Sequence, residues 1–133
     1  MRKLLLFIIL TLNYTIGFSQ NQNEKASVDK SQKTISVATY KLFPTDNIWT
    51  FLKLNTRNGR IWQVQFDVTN DNRYQTYLNF VPLAVGEKEI DERFTLYPTQ
   101  NVYTFILLDQ IDGRMWQVQW SKESENRGIF PIK

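Results

Sequence analysis

From residue 34 onward, apolar and polar residues alternate in short runs that end at turn residues. Such alternation, in runs rich in aromatic and β-branched residues, is typical of strands that bury one face. Asn58-Gly59 and Asp112-Gly113 each lie between two apolar runs, which predicts two hairpins. The pattern favours about eight strands and no helix outside the N-terminal segment. The strands that flank the hairpins are predicted at residues 34–43, 73–81, 93–97 and 127–132.

Residues 40–65 and 94–119 are two copies of one motif, which align without a gap at an offset of 54. Of the 26 aligned positions 13 are identical, including both turn glycines and the whole Trp-Gln-Val-Gln run. Similarity at a fixed period indicates repeated structural units. Because a unit this short cannot bury enough apolar surface alone, we expect the two units to share one core.

The predicted fold class is therefore all-β, with two tandem pseudo-symmetric units of about four antiparallel strands each. Together they would form one sandwich or barrel-like domain with pseudo-twofold symmetry. Four strands per unit also resemble a propeller blade, but two blades do not close a propeller. The domain would consist of unit 1 (34–83), a charged linker (84–92) and unit 2 (93–133).

The register of each hairpin determines which side chains share a face. A two-residue turn would pair Leu54 with Gln63, whereas a three-residue loop with Gly in the left-handed position would pair Leu54 with Trp62. The three-residue loop is favoured because it gives a cleaner apolar face. The opposite face would then mix aromatic rings and amides, and it is our candidate ligand-binding or partner-binding face. Its residues are Trp49, Phe51, Gln63 and Gln65 in unit 1 and Tyr103, Phe105, Gln117 and Gln119 in unit 2.

Both copies of the motif carry a Gly-Arg pair at the hairpin turn. The structural interpretation is that Gly takes a left-handed conformation and Arg pairs with a nearby carboxylate or carbonyl. In the functional alternative, the Arg and the two Gln of each copy contact a ligand. The turn residues are Asn58, Gly59 and Arg60 in the first unit and Asp112, Gly113 and Arg114 in the second.

The N-terminal segment has the pattern of a secretory signal peptide. Arg2 and Lys3 precede a short apolar run, and Gly17 and Ser19 form a small-residue site that predicts cleavage after Ser19, with cleavage after Gln20 as the alternative. We expect a signal peptide at 1–19 and a flexible polar leader at 20–33, hence a periplasmic or secreted protein without a membrane span after cleavage. The chain has no Cys for lipid attachment or disulfides, which favours a bacterial envelope.

Composition argues against several classes of function. The chain has 16 Lys and Arg against 13 Asp and Glu, and removal of Arg2 and Lys3 leaves 14 against 13. This near-neutral balance gives no indication of nucleic acid binding. The chain has no His and no Cys, and no motif of an active site or cofactor site is present. We therefore expect no enzyme activity, no catalytic residues, no cofactor and no metal site.

The run from Leu96 to Asp109, followed by Gly113 to Gln119, resembles repeats in small exported proteins of Bacteroidetes-type bacteria. These proteins carry twin Gly-Arg-x-Trp-Gln-Val-Gln repeats and form a family of unknown function. The resemblance covers 40–65 and 94–119, and it implies an envelope or secreted location. It implies no activity and no site residues.

Three functions remain open. The leading hypothesis is a non-enzymatic binding module that engages a protein partner, or a second copy of itself, through the aromatic and glutamine face. Glycan recognition by the same face is the alternative, because exposed aromatics beside amides suit sugar rings. A further alternative is an inhibitor or immunity protein against a secreted toxin.

Overall fold

Eight antiparallel strands form two sheets in the computed structural model, which describes residues 37–69 and 71–133. In each sheet the strands follow one another in sequence order. The all-β class, with two tandem four-stranded units, is therefore confirmed. The predicted signal peptide (1–19) and leader (20–33) lie outside the described residues. The strands are β1 (Tyr40–Pro44), β2 (Thr50–Asn55), β3 (Ile61–Gln65), β4 (Tyr74–Asn79), β5 (Phe94–Pro98), β6 (Thr104–Asp109), β7 (Met115–Gln119) and β8 (Gly128–Ile132), with single 3₁₀ turns at Gly86–Lys88 and Ser124–Asn126.

The β2–β3 hairpin has a four-residue loop, so both registers considered from the sequence are wrong. Leu54 pairs with Ile61, and Asn55 N–H donates to the Arg60 carbonyl at 2.9 Å. The loop is longer because Asn55 Oδ1 accepts the backbone N–H of Arg57 at 3.0 Å. Gly59 then closes the turn at φ 75°, the left-handed conformation expected of it, and its N–H donates to the Asn55 carbonyl at 2.9 Å.

The β6–β7 hairpin repeats this geometry. Asp109 takes the place of Asn55, its Oδ1 accepts the Ile111 N–H at 3.1 Å, and Gly113 has φ 71°. The observed register differs by one residue from the register favoured from the sequence. A shift of one residue places every side chain of β3 on the opposite face relative to β2, and the same holds for β7 relative to β6. The residues that share a face therefore differ from those expected.

Each sheet has two faces, which we name A and B. Directly paired residues in antiparallel strands lie on the same face, and successive residues alternate between faces. Face A carries Leu52, Leu54, Ile61 and Gln63 in the first sheet and their equivalents Ile106, Leu108, Met115 and Gln117 in the second. Face B carries Phe51, Lys53, Trp62 and Val64 in the first sheet and Phe105, Leu107, Trp116 and Val118 in the second.

The core lies between face A of the first sheet and face B of the second. Leu52, Leu54 and Ile61 are fully buried, and they pack in one cluster with buried Leu107 and Val118. A twofold axis would bury the same face of both sheets. The expected pseudo-twofold symmetry is therefore wrong, and the second unit packs front to back on the first.

Polar contacts join the two sheets at both ends of this core. The Phe94 N–H donates to the Thr56 carbonyl at 2.8 Å, and the Ser121 N–H donates to Gln63 Oε1 at 3.3 Å. Gln63 is 0% exposed, so this bond accounts for a glutamine inside an apolar core.

Candidate functional site

The eight candidate residues do not share one face. Phe51 and Phe105 lie on face B, and the four glutamines lie on face A. Gln63 and Phe105 are buried in the core, so neither is available to a ligand. The glutamines lie on face A because the four-residue loop shifts the register, so that each glutamine pairs with a face A residue of β2 or β6. The mixed aromatic and glutamine face is therefore not formed.

Four of the eight residues nevertheless meet in two equivalent pockets. Trp49 and Gln65 line a pocket of about 370 Å³. Their counterparts Tyr103 and Gln119 line a pocket of about 500 Å³. We call them the first and second aromatic–amide pockets.

Each pocket contains a further aromatic residue at an equivalent position that the sequence reasoning missed, and the first pocket also contains Tyr74. Phe66 lines the first pocket and Trp120 lines the second, directly after the repeated Trp-Gln-Val-Gln run. The Trp49 and Phe66 ring centroids are 5.3 Å apart, and those of Tyr103 and Trp120 are 5.1 Å apart. The signal was an aromatic residue at the same offset in both copies, one position beyond the aligned motif.

The repeated Pro-Thr-x-Asn turns hold the exposed aromatic ring of each pocket. Asn47 Oδ1 accepts the Trp49 N–H at 2.9 Å, and Asn101 Oδ1 accepts the Tyr103 N–H at 2.9 Å. These bonds fix the backbone just before β2 and β6. Trp49 remains 37% exposed and Tyr103 53% exposed, so both rings can contact a ligand.

Hydrogen-bonding groups make up the rest of the lining. Lys122 lies at both pockets. The amide, hydroxyl and charged groups near the aromatic rings offer both donors and acceptors. The first pocket adds Asp67, Asn72 and Tyr74, and the second adds Asn47, Asn101, Thr104, Ser121, Glu123 and Asn126.

The carboxyl groups at the pockets are ionised at neutral pH. The pKa of Glu123 is lowered by its own backbone N–H and by the Ser121 hydroxyl, and the pKa of Asp67 is lowered by hydrogen bonds from Thr69 and Asn72. An acid catalyst needs a raised pKa to hold a proton near neutral pH. These carboxylates are suited to accept hydrogen bonds.

The turn residues have structural partners in the second unit. Asp109 is 0% exposed and receives two hydrogen bonds from Arg93, at 3.1 and 2.9 Å. Arg114 donates to the same carboxylate at 2.9 Å, and Arg93 also contacts Asp112. In the first unit Asn55 replaces the aspartate, and Asn58 is buried in the loop. This arrangement supports the structural interpretation of the Gly-Arg turn in the second unit. In the first unit Gly59 is left-handed, but the Nε of Arg60 is buried without a hydrogen-bond partner.

In residues 37–69 and 71–133, no three His, Cys, Asp or Glu side chains converge as metal ligands would. Across the same part of the chain, every helix is too short or too polar to cross a membrane. The molecule is thus a two-sheet β protein with twin aromatic–amide pockets. Comparison with family models, curated proteins and solved structures finds no match to this chain. The resemblance to exported repeat proteins remains a prediction.

Proposed function

We propose that this protein is an exported, non-enzymatic binding module that recognises a glycan through its two aromatic–amide pockets. The observation that carries the proposal is the duplication of the pocket itself. An exposed ring, a second aromatic and a glutamine recur at equivalent positions in both units. Export is supported by the signal-peptide pattern of residues 1–19.

The chemistry of the lining favours a glycan. Trp49 and Tyr103 offer an aromatic surface on which the C–H face of a sugar ring can stack, and tyrosine and tryptophan combine an apolar body with a polar tip. Gln65, Gln119 and the neighbouring amides can bond sugar hydroxyls as donors and acceptors. Concave sites that combine aromatic side chains with a few polar groups are typical of small-ligand binding.

The ionisation of the pockets supports binding rather than hydrolysis. A glycosidase uses two carboxyl groups, one of which must carry a proton. The second pocket contains a single carboxylate, Glu123, and the first contains only Asp67. Both have a lowered pKa, so neither is suited to act as the acid.

Replacement of the exposed ring of the second pocket provides the test. We expect Tyr103→Ala to weaken glycan binding by about five- to thirtyfold, since loss of a stacking contact with the sugar ring costs roughly 1–2 kcal/mol. The measurement is a glycan array followed by calorimetry, on protein purified after expression of the full chain. Trp49→Ala should act in the same direction at the first pocket.

Val85→Ala is the control. Val85 is 60% exposed, close to the exposure of Tyr103, but it lies in the linker between the units and lines neither pocket. Its loss should leave glycan affinity unchanged. Equal loss of affinity in both variants, or no binding to any polysaccharide on a broad array, would refute the proposal.

A protein partner remains the second candidate, supported by a different observation. The outward faces of both sheets carry exposed aromatic and aliphatic residues, including Tyr40 at 54% and Phe130 at 53% exposure. Large exposed apolar surfaces mark interaction sites. No feature of the described residues points to an inhibitor or immunity protein, so that function stays a prediction from the sequence.

A further inference from the structure

The two outward faces of the molecule are repeat equivalents of the two faces that already pack on each other. Face B of the first sheet points outward, whereas face B of the second sheet is in the core. Face A of the second sheet points outward, whereas face A of the first sheet is in the core. Each outward face is therefore equivalent, by the repeat, to a face that is buried in the core of the same chain. The packing of that buried face shows which kind of face can cover the outward one.

We propose that copies of this protein associate head to tail, with face B of the first sheet of one copy packed on face A of the second sheet of the next. The contact would repeat the intramolecular packing between the two sheets. Because it joins two different faces, it is a heterologous contact, which closes into a ring or continues as a filament.

The outward face A of the second sheet retains the character of its buried counterpart. Leu108 and Gln117 are identical to Leu54 and Gln63, which are fully buried in the first sheet. Ile106 replaces Leu52, and Met115, which is 41% exposed, replaces Ile61. β8 adds Phe130 and Ile132 to this outward face.

The outward face B of the first sheet is also apolar. Trp62 pairs with Tyr77 across the β3–β4 ladder, and their ring centroids are 5.1 Å apart. Tyr40, Leu42 and Tyr77 are each half or more exposed. The Tyr40 and Trp62 ring centroids are 6.1 Å apart, so Tyr40 and Tyr77 flank Trp62 on this face. The buried counterparts of Tyr40 and Leu42 in the second sheet are Phe94 and Leu96.

The polar contacts between the two sheets also have equivalents across the proposed contact. The Phe94 N–H bond to the Thr56 carbonyl corresponds to a bond from the Tyr40 N–H of one copy to the Gln110 carbonyl of the next. The Ser121 bond to Gln63 corresponds to a bond from the Asp67 N–H to Gln117 Oε1. The repeat thus supplies the hydrogen bonds of the interface as well as its apolar surface.

Lys53 makes the proposed contact weaker than the intramolecular one. It occupies the position of the fully buried Leu107, and its Nζ lies 4.4 Å from the centroid of the Trp62 ring and 2.6 Å from Gln75 Oε1. Burial of this ammonium group against another copy costs free energy. We therefore expect association that depends on protein concentration.

The first experiment measures mass against concentration by sedimentation, with protein purified after expression of the full chain. Wild type should exceed the monomer mass at high concentration, and Lys53→Leu should lower the dissociation constant by at least about tenfold. Met115→Lys and Leu42→Lys, one on each outward face, should each remain monomeric. Val85→Lys is the control, because Val85 is 60% exposed but lies in the linker.

Mixing the two blocked variants tests the head-to-tail geometry directly. Each variant retains one intact face of a different kind, so an equimolar mixture should form a dimer that neither variant forms alone. If either blocked variant dimerises alone, the contact joins like faces, and the proposal fails. It also fails if wild type and Lys53→Leu stay monomeric at every concentration, or if Val85→Lys disrupts association as strongly as Met115→Lys. Circular dichroism confirms that each variant is folded.

Discussion

Asp109 is a fully buried carboxylate at the turn that ends β6. Burial raises the pKa of its carboxyl, but hydrogen bonds from Arg93 and from the backbone N–H of Asp112 outweigh that effect, and the pKa is lowered to about 2. The same contacts raise the pKa of Arg93. The equivalent Asn55 performs the turn-forming role of Asp109 without charge, so of the two hairpin turns only the β6–β7 turn depends on an ionised side chain.

Acid unfolding tests this dependence. Because the folded-state pKa lies below the value of about 3.9 for an unfolded aspartate, ionised Asp109 stabilises the fold above about pH 4. That contribution, roughly 2 kcal/mol, should be lost as the pH falls from about 4 to about 2. Asp109→Asn should flatten the pH dependence in this range and lower the free energy of unfolding at pH 7 by about 3 kcal/mol, since Arg93 is left buried without its partner.

Urea titrations at several pH values measure both effects. Asp112→Asn is the control: its side chain is 49% exposed, so its removal should cost less than about 1 kcal/mol. An unchanged acid dependence in Asp109→Asn would contradict the prediction.

At the scale of elements, the two hairpins share one turn geometry but differ in their surroundings. Gly59 and Gly113 both have positive φ. A Cβ at Gly59 would lie 2.9 Å from Leu83 Cδ1, whereas a Cβ at Gly113 would meet nothing within 4 Å. The first hairpin is therefore packed against the chain that leaves β4, and the second hairpin is open at this point.

This difference predicts unequal costs for the same substitution. Gly113→Ala should destabilise by about 1–2 kcal/mol, the cost of a left-handed alanine. Gly59→Ala should cost about 1–3 kcal/mol more, because its methyl group also displaces Leu83. Thermal and urea unfolding of the two variants, measured side by side, provides the comparison. Equal destabilisation of the two variants would contradict the prediction, because it would show that the Leu83 side chain moves away from the new methyl group without a loss of stability.

At the scale of the whole molecule, the two units stack front to back instead of facing each other. Equivalent residues therefore have different environments: Gln63 is buried between the sheets, whereas Gln117 lies on an outward face. The two copies are similar in sequence, but opposite faces of their sheets are buried, so equivalent residues differ in their exposure to solvent.

The two glutamines offer a matched pair of variants. Gln63→Ala should lower the free energy of unfolding by about 1–3 kcal/mol, because the Ser121 N–H loses its buried acceptor. Gln117→Ala should leave the stability of the monomer within about 0.5 kcal/mol. Chemical unfolding at low protein concentration separates this effect from association. A larger cost at Gln117 would mean that Gln117, and not Gln63, is buried between the sheets.

The sequence predicted the strands well and the site only in part. The alternation and the Gly-containing turns located all eight strands, and the repeat related Trp49 to Tyr103 and Gln65 to Gln119. The register was missed because Asn55 and Asp109, which accept the loop N–H groups, extend each loop beyond the Asn-Gly or Asp-Gly pair. That error placed Phe51 and Gln63 on one face, although the structure places them on opposite faces.

The sequence by itself determined the repeat, the two β-rich units and the left-handed glycines, because these depend on local pattern and backbone sterics. Only the tertiary structure decided which face of each sheet is buried. Both faces of both sheets carry apolar residues, so the alternation alone is ambiguous. The choice came from the contact between the sheets, where Leu52 and Leu54 of the first sheet meet Leu107 and Val118 of the second.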